Sequence, residues 1–208
     1  MKCRFSLSYR DLEELASIRG ISIDHATLQR WVVKFVKLIE HQVRKRKKPV
    51  GSSWRMDETY IKVKGVWVYL YRAVDSLGNT IDFLLKTNRD AAAAKAFFRK
   101  AFKNNGYPEK VTIDKSGSNL AALNSANDVL SQDKQIEIRQ NKYLNNMVEQ
   151  DHRFIKKRTR PMLGFKSFYS AKVTIAGIEN IRMIQKGQIV GANDKVSTFE
   201  NFKMLMAS

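Results

Sequence analysis

The sequence predicts an α/β protein: a mixed sheet flanked by helices, preceded by a small helical region. Three observations carry that reading. Apolar residues recur at helical spacing on either side of Gly20; from Trp54 the period changes to two; and after Arg89 helical and strand-like segments alternate. The chain has 208 residues, 43% of them hydrophobic, enough for one sizeable domain and a small extra one.

Taken in order, Leu7, Leu12, Leu15 and Ile18 mark a first amphipathic helix, with Ser8 as its N-cap and Glu13 and Glu14 in its first turns. Gly20 ends it. A second helix follows, with Leu28, Trp31, Val32 and Phe35 as its apolar face. Helix, short turn, helix is the helix-turn-helix outline, shared with ordinary helical hairpins. The second helix exposes His25, Thr27, Gln29 and Arg30, residue types that reach base edges or phosphates. "RKRKKP", with Arg44, Lys45 and Arg46 at its head, reads as a basic linker, solvated or lying along phosphates. "WRMDETYIKVKG", "VWVYLYRAVD" and "NTIDFLLKT" are three strands of a meander, turned at Lys64-Gly65 and at Ser76 to Asn79. "RDAAAAKAFFRKAFKNNG" is a helix with Ala94, Phe97, Phe98, Ala101 and Phe102 on one side. Then come a strand "EKVTID", a helix "SNLAALNSANDVLS", a strand "QIEIR", a helix from near Asn145, and a long helix in "SFYSAKVTIAGIENIRMIQKGQ". The order βββαβαβα implies a mixed sheet with helices on both faces, and the ribonuclease H-like fold has that order. On this reading the chain divides into a helix-turn-helix domain at 1–43, a linker at 44–53, a catalytic sheet domain at 54–190 and a tail at 191–208.

Lysine and arginine number 38 against 20 acids, a formal charge of +18. Such an excess suits a polyanion, and DNA or RNA ranks ahead of an inert basic surface. Cys3 is the one cysteine, which excludes a disulfide framework or a cysteine zinc cluster and fits a reducing compartment. No apolar run approaches the ~20 residues of a membrane span, and the first residues lack a signal-peptide core. The expected location is the cytoplasm, in association with the nucleoid.

Three carboxylates stand out. Asp57 lies inside the first meander strand, where aspartate is disfavoured. Strict alternation turns its neighbour Glu58 to the opposite face. Asp114 ends the strand "VTID", and ligands of α/β sheets bind beyond the carboxyl ends of strands. Glu149 lies on a later helix. In the expected fold the three come from adjacent central strands and a helix beside them. Gathered carboxylates repel one another unless a cation answers them. Oxygen ligands of this kind suit Mg²⁺ or Mn²⁺, and two such ions ~3.5–4 Å apart hold an in-line phosphoryl displacement. Spacing alone leaves equally open that Asp57 and Asp114 cap turns and that Glu149 pairs with a base.

His152, Arg153 and Lys156 follow Glu149 by three, four and seven positions, so all four share a helix face. Glu149 would close a metal site while Arg153, Lys156 and their neighbours Lys157 and Arg158 hold a DNA backbone. His152 would orient a phosphate or water, although a lone histidine is more often structural. Met147, Val148, Phe154 and Ile155 would anchor the helix.

At these residues the sequence resembles the DDE transposases of bacterial insertion sequences, specifically the IS-six family. The matching stretches are "LSYRDLEEL" with "RGISIDHATLQRWV", "WRMDETYIKVKGVWVYLYRAVDSLGNTIDF", "VTIDKSGSN", and "NKYLNNMVEQDHRFIKKRTRPMLGFKSFYSAKVTIAGIE", together covering most of the chain from Leu7 to Gln188. The resemblance implies that Asp57, Asp114 and Glu149 are the catalytic and metal-binding triad. It implies that Lys156 is the basic residue the family carries seven positions after its glutamate. It also implies cleavage at terminal inverted repeats by metal-activated water, attack of the freed 3′-OH on target DNA, replicative cointegrate formation, and a homo-oligomer holding two DNA ends with two Mg²⁺ or Mn²⁺ ions at each active site. Family members usually carry a further helical segment before "LSYRDLEEL", so the helix-turn-helix region is expected to lack its first helix. That leaves, as an alternative, a non-catalytic DNA-binding regulator or inhibitor of transposition.

Overall fold

A computed structural model describes residues 1–141, 146–193 and 195–207. The expected helix start near Asn145 lies outside the described residues, as does the side chain of Met147. The chain forms two compact units, one of Pro49–Lys62 and Val66–Phe154, the other of Met1–Lys48, Val63–Gly65 and Ile155–Ser208.

The first unit is built on a five-stranded sheet in the order β3-β2-β1-β4-β5, from β1 (Ser53–Val63), β2 (Val66–Asp75), β3 (Thr80–Lys86), β4 (Lys110–Ile113) and β5 (Glu137–Gln140). Strands β2 and β3 are antiparallel, while β4 runs parallel to both β1 and β5. This is the mixed sheet of the ribonuclease H-like fold, and the βββαβαβα order is as the sequence predicts. Lys64 and Gly65, with φ of 49° and 80°, make the tight turn between β1 and β2. Asp75 makes the next turn by accepting from the backbone N–H groups of Leu77 and Asn79 at 2.9 and 2.8 Å.

Helix α3 (Ala91–Asn105) is capped by Asp90, which accepts from the Ala93 N–H at 2.7 Å. Its five predicted apolar residues are all buried. Phe97 and Phe98 pack with Trp54, Met56, Tyr71, Ile113 and Leu123 of helix α4 (Gly117–Asn127) in one core. On β2, Tyr71 and Ala73 face that core, so Arg72 between them faces the other side of the sheet. There its guanidinium meets Asp151 of helix α5 (Asn146–Thr159) at 2.9 Å, and both side chains are almost wholly buried. Helices therefore cover both faces.

The second unit is helical. In α1 (Tyr9–Ile18), Ser8 and Asp11 form a reciprocal capping box, as the predicted N-cap requires. Gly20, with φ of 72°, ends it, and Asp24 caps α2 (His25–Arg46). The buried residues of α2 are Val36 and Val43, while Trp31 and Phe35 stay exposed, so the apolar face predicted from Leu28 to Phe35 is corrected toward the C-terminal half. The reason is tertiary: α2 packs along α6 (Phe168–Gln185), which is buried along most of its length. Gly177 of α6 permits this approach, since a Cβ there would lie 2.9 Å from Val36 Cγ2 and closer still to Cys3 Sγ. Arg44, Lys45 and Arg46 form the last turn of α2. Lys48 then donates to the Gln188 carbonyl and Val190 to that of Arg46, each at 2.8 Å. Residues Thr198–Met206, which carry no element in the sequence reading, form α7 behind a Ser197 cap. Among the described residues no helix is long and apolar enough to cross a membrane.

Removing one member of the buried Arg72–Asp151 pair strands the other charge. Asp151→Ala is expected to destabilise folding by about 3–5 kcal/mol in urea denaturation; a loss typical of a surface pair, below about 1 kcal/mol, would contradict this role.

Candidate metal centre

Register builds this site. Strands β1 and β4 run parallel with Arg55 paired to Thr112, and two residues beyond that pair lie Asp57 on one strand and Asp114 on the other. The carboxylates thus come to the same end of the sheet from neighbouring strands. Glu58 joins them: ligand oxygens of Asp57, Glu58 and Asp114 all lie within 4.8 Å of one another. This corrects the expectation that opposite facing keeps Asp57 and Glu58 from sharing one site. Trp54 and Met56 lie in the core with α3 and α4, whereas after the pair Thr59, Ile61 and Val63 are the buried residues, so the buried face of β1 changes at Asp57–Glu58. Glu58 keeps to the Trp54–Met56 side, toward Asn119 of α4, and Asp57 to the other, toward His152 of α5, with their carboxylate oxygens still within 4.8 Å of each other and of Asp114.

Each acid is held separately. The Glu58 side chain, 3% exposed, accepts from Asn119 Nδ2 at 3.1 Å. Asp114 Oδ1 accepts from the Ser116 N–H at 3.0 Å. Arg89 reaches across with its Nη2 3.5 Å from Glu58 and 3.4 Å from Asp114. A cavity of about 490 Å³ opens here, lined by Arg89, Asp114, Lys115, Ser116 and Ser118. His152 on α5 is buried, with Nδ1 3.6 Å from Asp57 Oδ2.

Burial pushes the Asp57 carboxyl up to about 7, and the charges of Glu58 and Asp114 add to the effect against the pull of the Glu58 N–H and Arg89. Glu58 is raised for the same leading reason, with Arg89 and Asn119 opposing. Hard oxygen donors this close together, still carrying a repulsion that lifts a proton affinity, fit a small divalent cation such as Mg²⁺ or Mn²⁺.

Of the acids singled out by sequence, Asp57 and Asp114 are thus brought together. Glu149 stands apart from the three gathered carboxylates: its side chain is 59% exposed and pairs with Arg153 at 3.3 Å. It sits one turn before His152 on α5, the helix that touches Asp57. Of the basic candidates, Arg153 and Lys157 are exposed, Lys156 is half-buried, and Arg158 donates to the Arg4 carbonyl at 3.2 Å. Gln29 and Arg30 are exposed on α2. Thr27 donates its hydroxyl to Asp24 and accepts from Arg30, each at 2.7 Å. Arg44 pairs with Glu40 at 2.9 Å, and Lys45 is exposed. The sequence reading missed Glu58, Arg89 and Asn119. The adjacent acids of "MDET" were a visible signal for the first; no local pattern marks the other two.

Residues 51–188 match a sequence-family model described as a DDE domain, of the IS240 transposase type. Over 184 residues the chain is 40% identical to the transposase for insertion sequence-like element IS431mec of Staphylococcus aureus, covering 88% of this chain and 80% of that one. The figures are the same for the transposase of element IS257 in transposon Tn4003, also from Staphylococcus aureus. Among solved structures, the HTLV-2 integrase catalytic core in complex with magnesium aligns with a TM-score of 0.48 and 15% identity, over 65% of this chain and 88% of that one. The BIV integrase catalytic core aligns with a TM-score of 0.47 and 14% identity, over 76% and 97%.

The Asp57 carboxyl binds its proton more tightly in the folded chain than in the unfolded one, where it titrates near 3.8. Its contribution to stability is therefore complete below pH about 4 and lost as pH rises through about 7. The thermal midpoint of metal-free protein is expected to fall across that window, to fall less in Asp57→Asn, and to recover at neutral pH on adding Mn²⁺. Superimposable pH profiles for the two proteins would refute the assignment.

Proposed function

This chain belongs to the IS-six family of DDE transposases, and on that premise we propose that it cuts DNA at the inverted repeats bounding its element and joins the freed 3′-OH to target DNA, producing a cointegrate by replicative transposition. The observation that carries the reading is the meeting of Asp57 and Asp114 just past the paired stretch of two parallel strands, with Glu58 beside them and a cavity next to Asp114. Asp57, Asp114 and Glu149 are the catalytic triad and would hold the divalent ions, Mg²⁺ or Mn²⁺, two when DNA is bound. When bound, such ions supply Lewis-acid activation of the attacking oxygen and stabilisation of the leaving one.

The protein's own groups do the rest. Glu149 is restrained by a surface ion pair of the kind worth less than about 1 kcal/mol, so releasing it from Arg153 toward the other two acids costs little. Arg153, Lys156 and Lys157, on the turns after Glu149, hold the DNA backbone beside the acids, with Arg158 and His152 assisting. Arg89 answers the acids' charge and stands where a phosphate would enter the cavity. Residues 54–190 carry the chemistry. Residues 1–43, through Thr27, Gln29 and Arg30, and the basic stretch at Arg44, Lys45 and Arg46 bind DNA. The enzyme works as a homo-oligomer that holds two ends, in the bacterial cytoplasm on the nucleoid.

Incubating the protein with Mg²⁺, labelled inverted-repeat DNA and a target plasmid should give joined product, and nicks without joining would instead indicate a hydrolytic nuclease. Asp57→Ala and Glu149→Ala should each lower joining by at least about 100-fold while DNA binding persists. Undiminished joining in Glu149→Ala would remove it from the triad. Affinity for DNA should drop by roughly 10³-fold or more between about 50 and 200 mM salt, as expected for six or more phosphate contacts; a flat salt response would rule out a basic DNA channel.

A further inference from the structure

The β1–β2 hairpin carries aromatic side chains that no core accounts for. Along β2, Tyr71 stacks on Phe97 at 6.1 Å inside the core, and Tyr69 packs at the core's edge. Trp67, two residues further out on the same strand face, is 56% exposed. Tyr60 of β1 is 49% exposed, and its ring centroid lies 5.4 Å from Tyr69 and 6.3 Å from Trp67. Lys62 holds its Nζ 5.7 Å from the Trp67 ring. Two exposed rings adjoining a third at the core's edge forgo the burial that makes aromatic residues worth having, and an exposed cluster of this kind marks a binding surface.

The cluster adjoins the acids. Tyr60 is three residues beyond Asp57 on one strand, roughly 10 Å along it, or about three duplex base steps. Arg89 links the two. Burial opposes its charge, while Glu58, Tyr60 and Asp114 sustain it, and it touches both acids. A strand of nucleic acid with one phosphate at the carboxylates therefore reaches these rings within a few nucleotides. Paired bases present no free π-face to a protein, but unpaired bases do, and stacking on aromatic rings tolerates any sequence. Lys62 beside Trp67 supplies the positive charge that a sugar-phosphate chain needs.

We propose that Tyr60, Trp67 and Tyr69, with Lys62, form a stacking platform for unpaired bases of the DNA strand whose phosphate lies at Asp57 and Asp114. The proposal rests on the DNA-processing function above. The platform gripping the end of a DNA strand after its bases have parted explains why aromatic residues are kept in water on the hairpin nearest the acids.

The test compares two fluorescein-labelled duplexes by anisotropy without divalent metal: one blunt, one identical but ending in a five-nucleotide thymidine tail. Wild-type protein should bind the tailed duplex roughly tenfold more tightly. Trp67→Ala and Tyr60→Ala should each bring that ratio close to one with blunt-duplex affinity and thermal midpoint unchanged, and Trp67→Phe should keep most of it. Equal loss on both duplexes, or an unchanged ratio, overturns the platform. So does an unchanged ratio accompanied by a smaller oligomer in light scattering, which would assign this face to a second copy of the chain. Wild-type protein that binds both duplexes equally defeats the platform alone, whereas failure to bind either defeats the proposed function with it.

Discussion

Negative charge crowded where the pairing of two parallel strands stops is the constraint around which the sheet unit is arranged. The β1–β4 register brings Asp57 and Asp114 to one place, and Glu58, next to Asp57, adds a third carboxylate. Carboxylates that close repel, and partial burial sharpens the repulsion. The surroundings answer it piecemeal: an amide from Asn119, a backbone N–H from Ser116, an imidazole from His152 and the guanidinium of Arg89. None of these neutralises all three acids. The residual penalty is tolerable because it is local and because the core behind it is large and apolar, built from Trp54, Met56, Phe97 and Phe98. A folded state that bears such a penalty is poised to gain from any cation that relieves it.

The opposite face of the sheet shows a different solution to the same problem. Arg72 and Asp151 are also charged and buried, yet they meet at 2.9 Å, and Arg72 donates further to Thr80 at 3.1 Å. That pair fixes α5 against the sheet. Next to Asp151 on the same helix, His152 touches Asp57, while Glu149 projects into solvent. A rigid, neutralised contact on α5 thus sits beside a loosely held acid.

Much of this was legible in the sequence. Strand and helix order followed from periodicity because each element is locally consistent: Asp90 caps α3, Gly106 ends it, and its phenylalanines fall on one face. Asp57 and Asp114 could be named because aspartate inside or ending a strand is costly without a purpose. Other features were hidden for physical reasons. Strict alternation puts Asp57 and Glu58 on opposite faces but does not reveal that their carboxylates still come within 4.8 Å of each other beside Asp114. Arg89 and Asn119 reach the acids through tertiary folding across long stretches of chain. Along α2, packing on α6 chose Val36 and Val43 over the larger Trp31 and Phe35, which a periodicity argument favours by size. By contrast, α7 was readable: Ser197 with Glu200 three positions on has the spacing of a capping box.

The approach of α2 to α6 has one more consequence. Cys3, half-buried, holds its sulfur where a Cβ on Gly177 would stand, and burial pushes its thiol up to about 11. A thiol so seldom ionised reacts slowly with alkylating and oxidising agents while the helices stay closed. As the sequence contains no other cysteine, a thiol reagent labels the chain at one place, where the residues before α1 lie against α6.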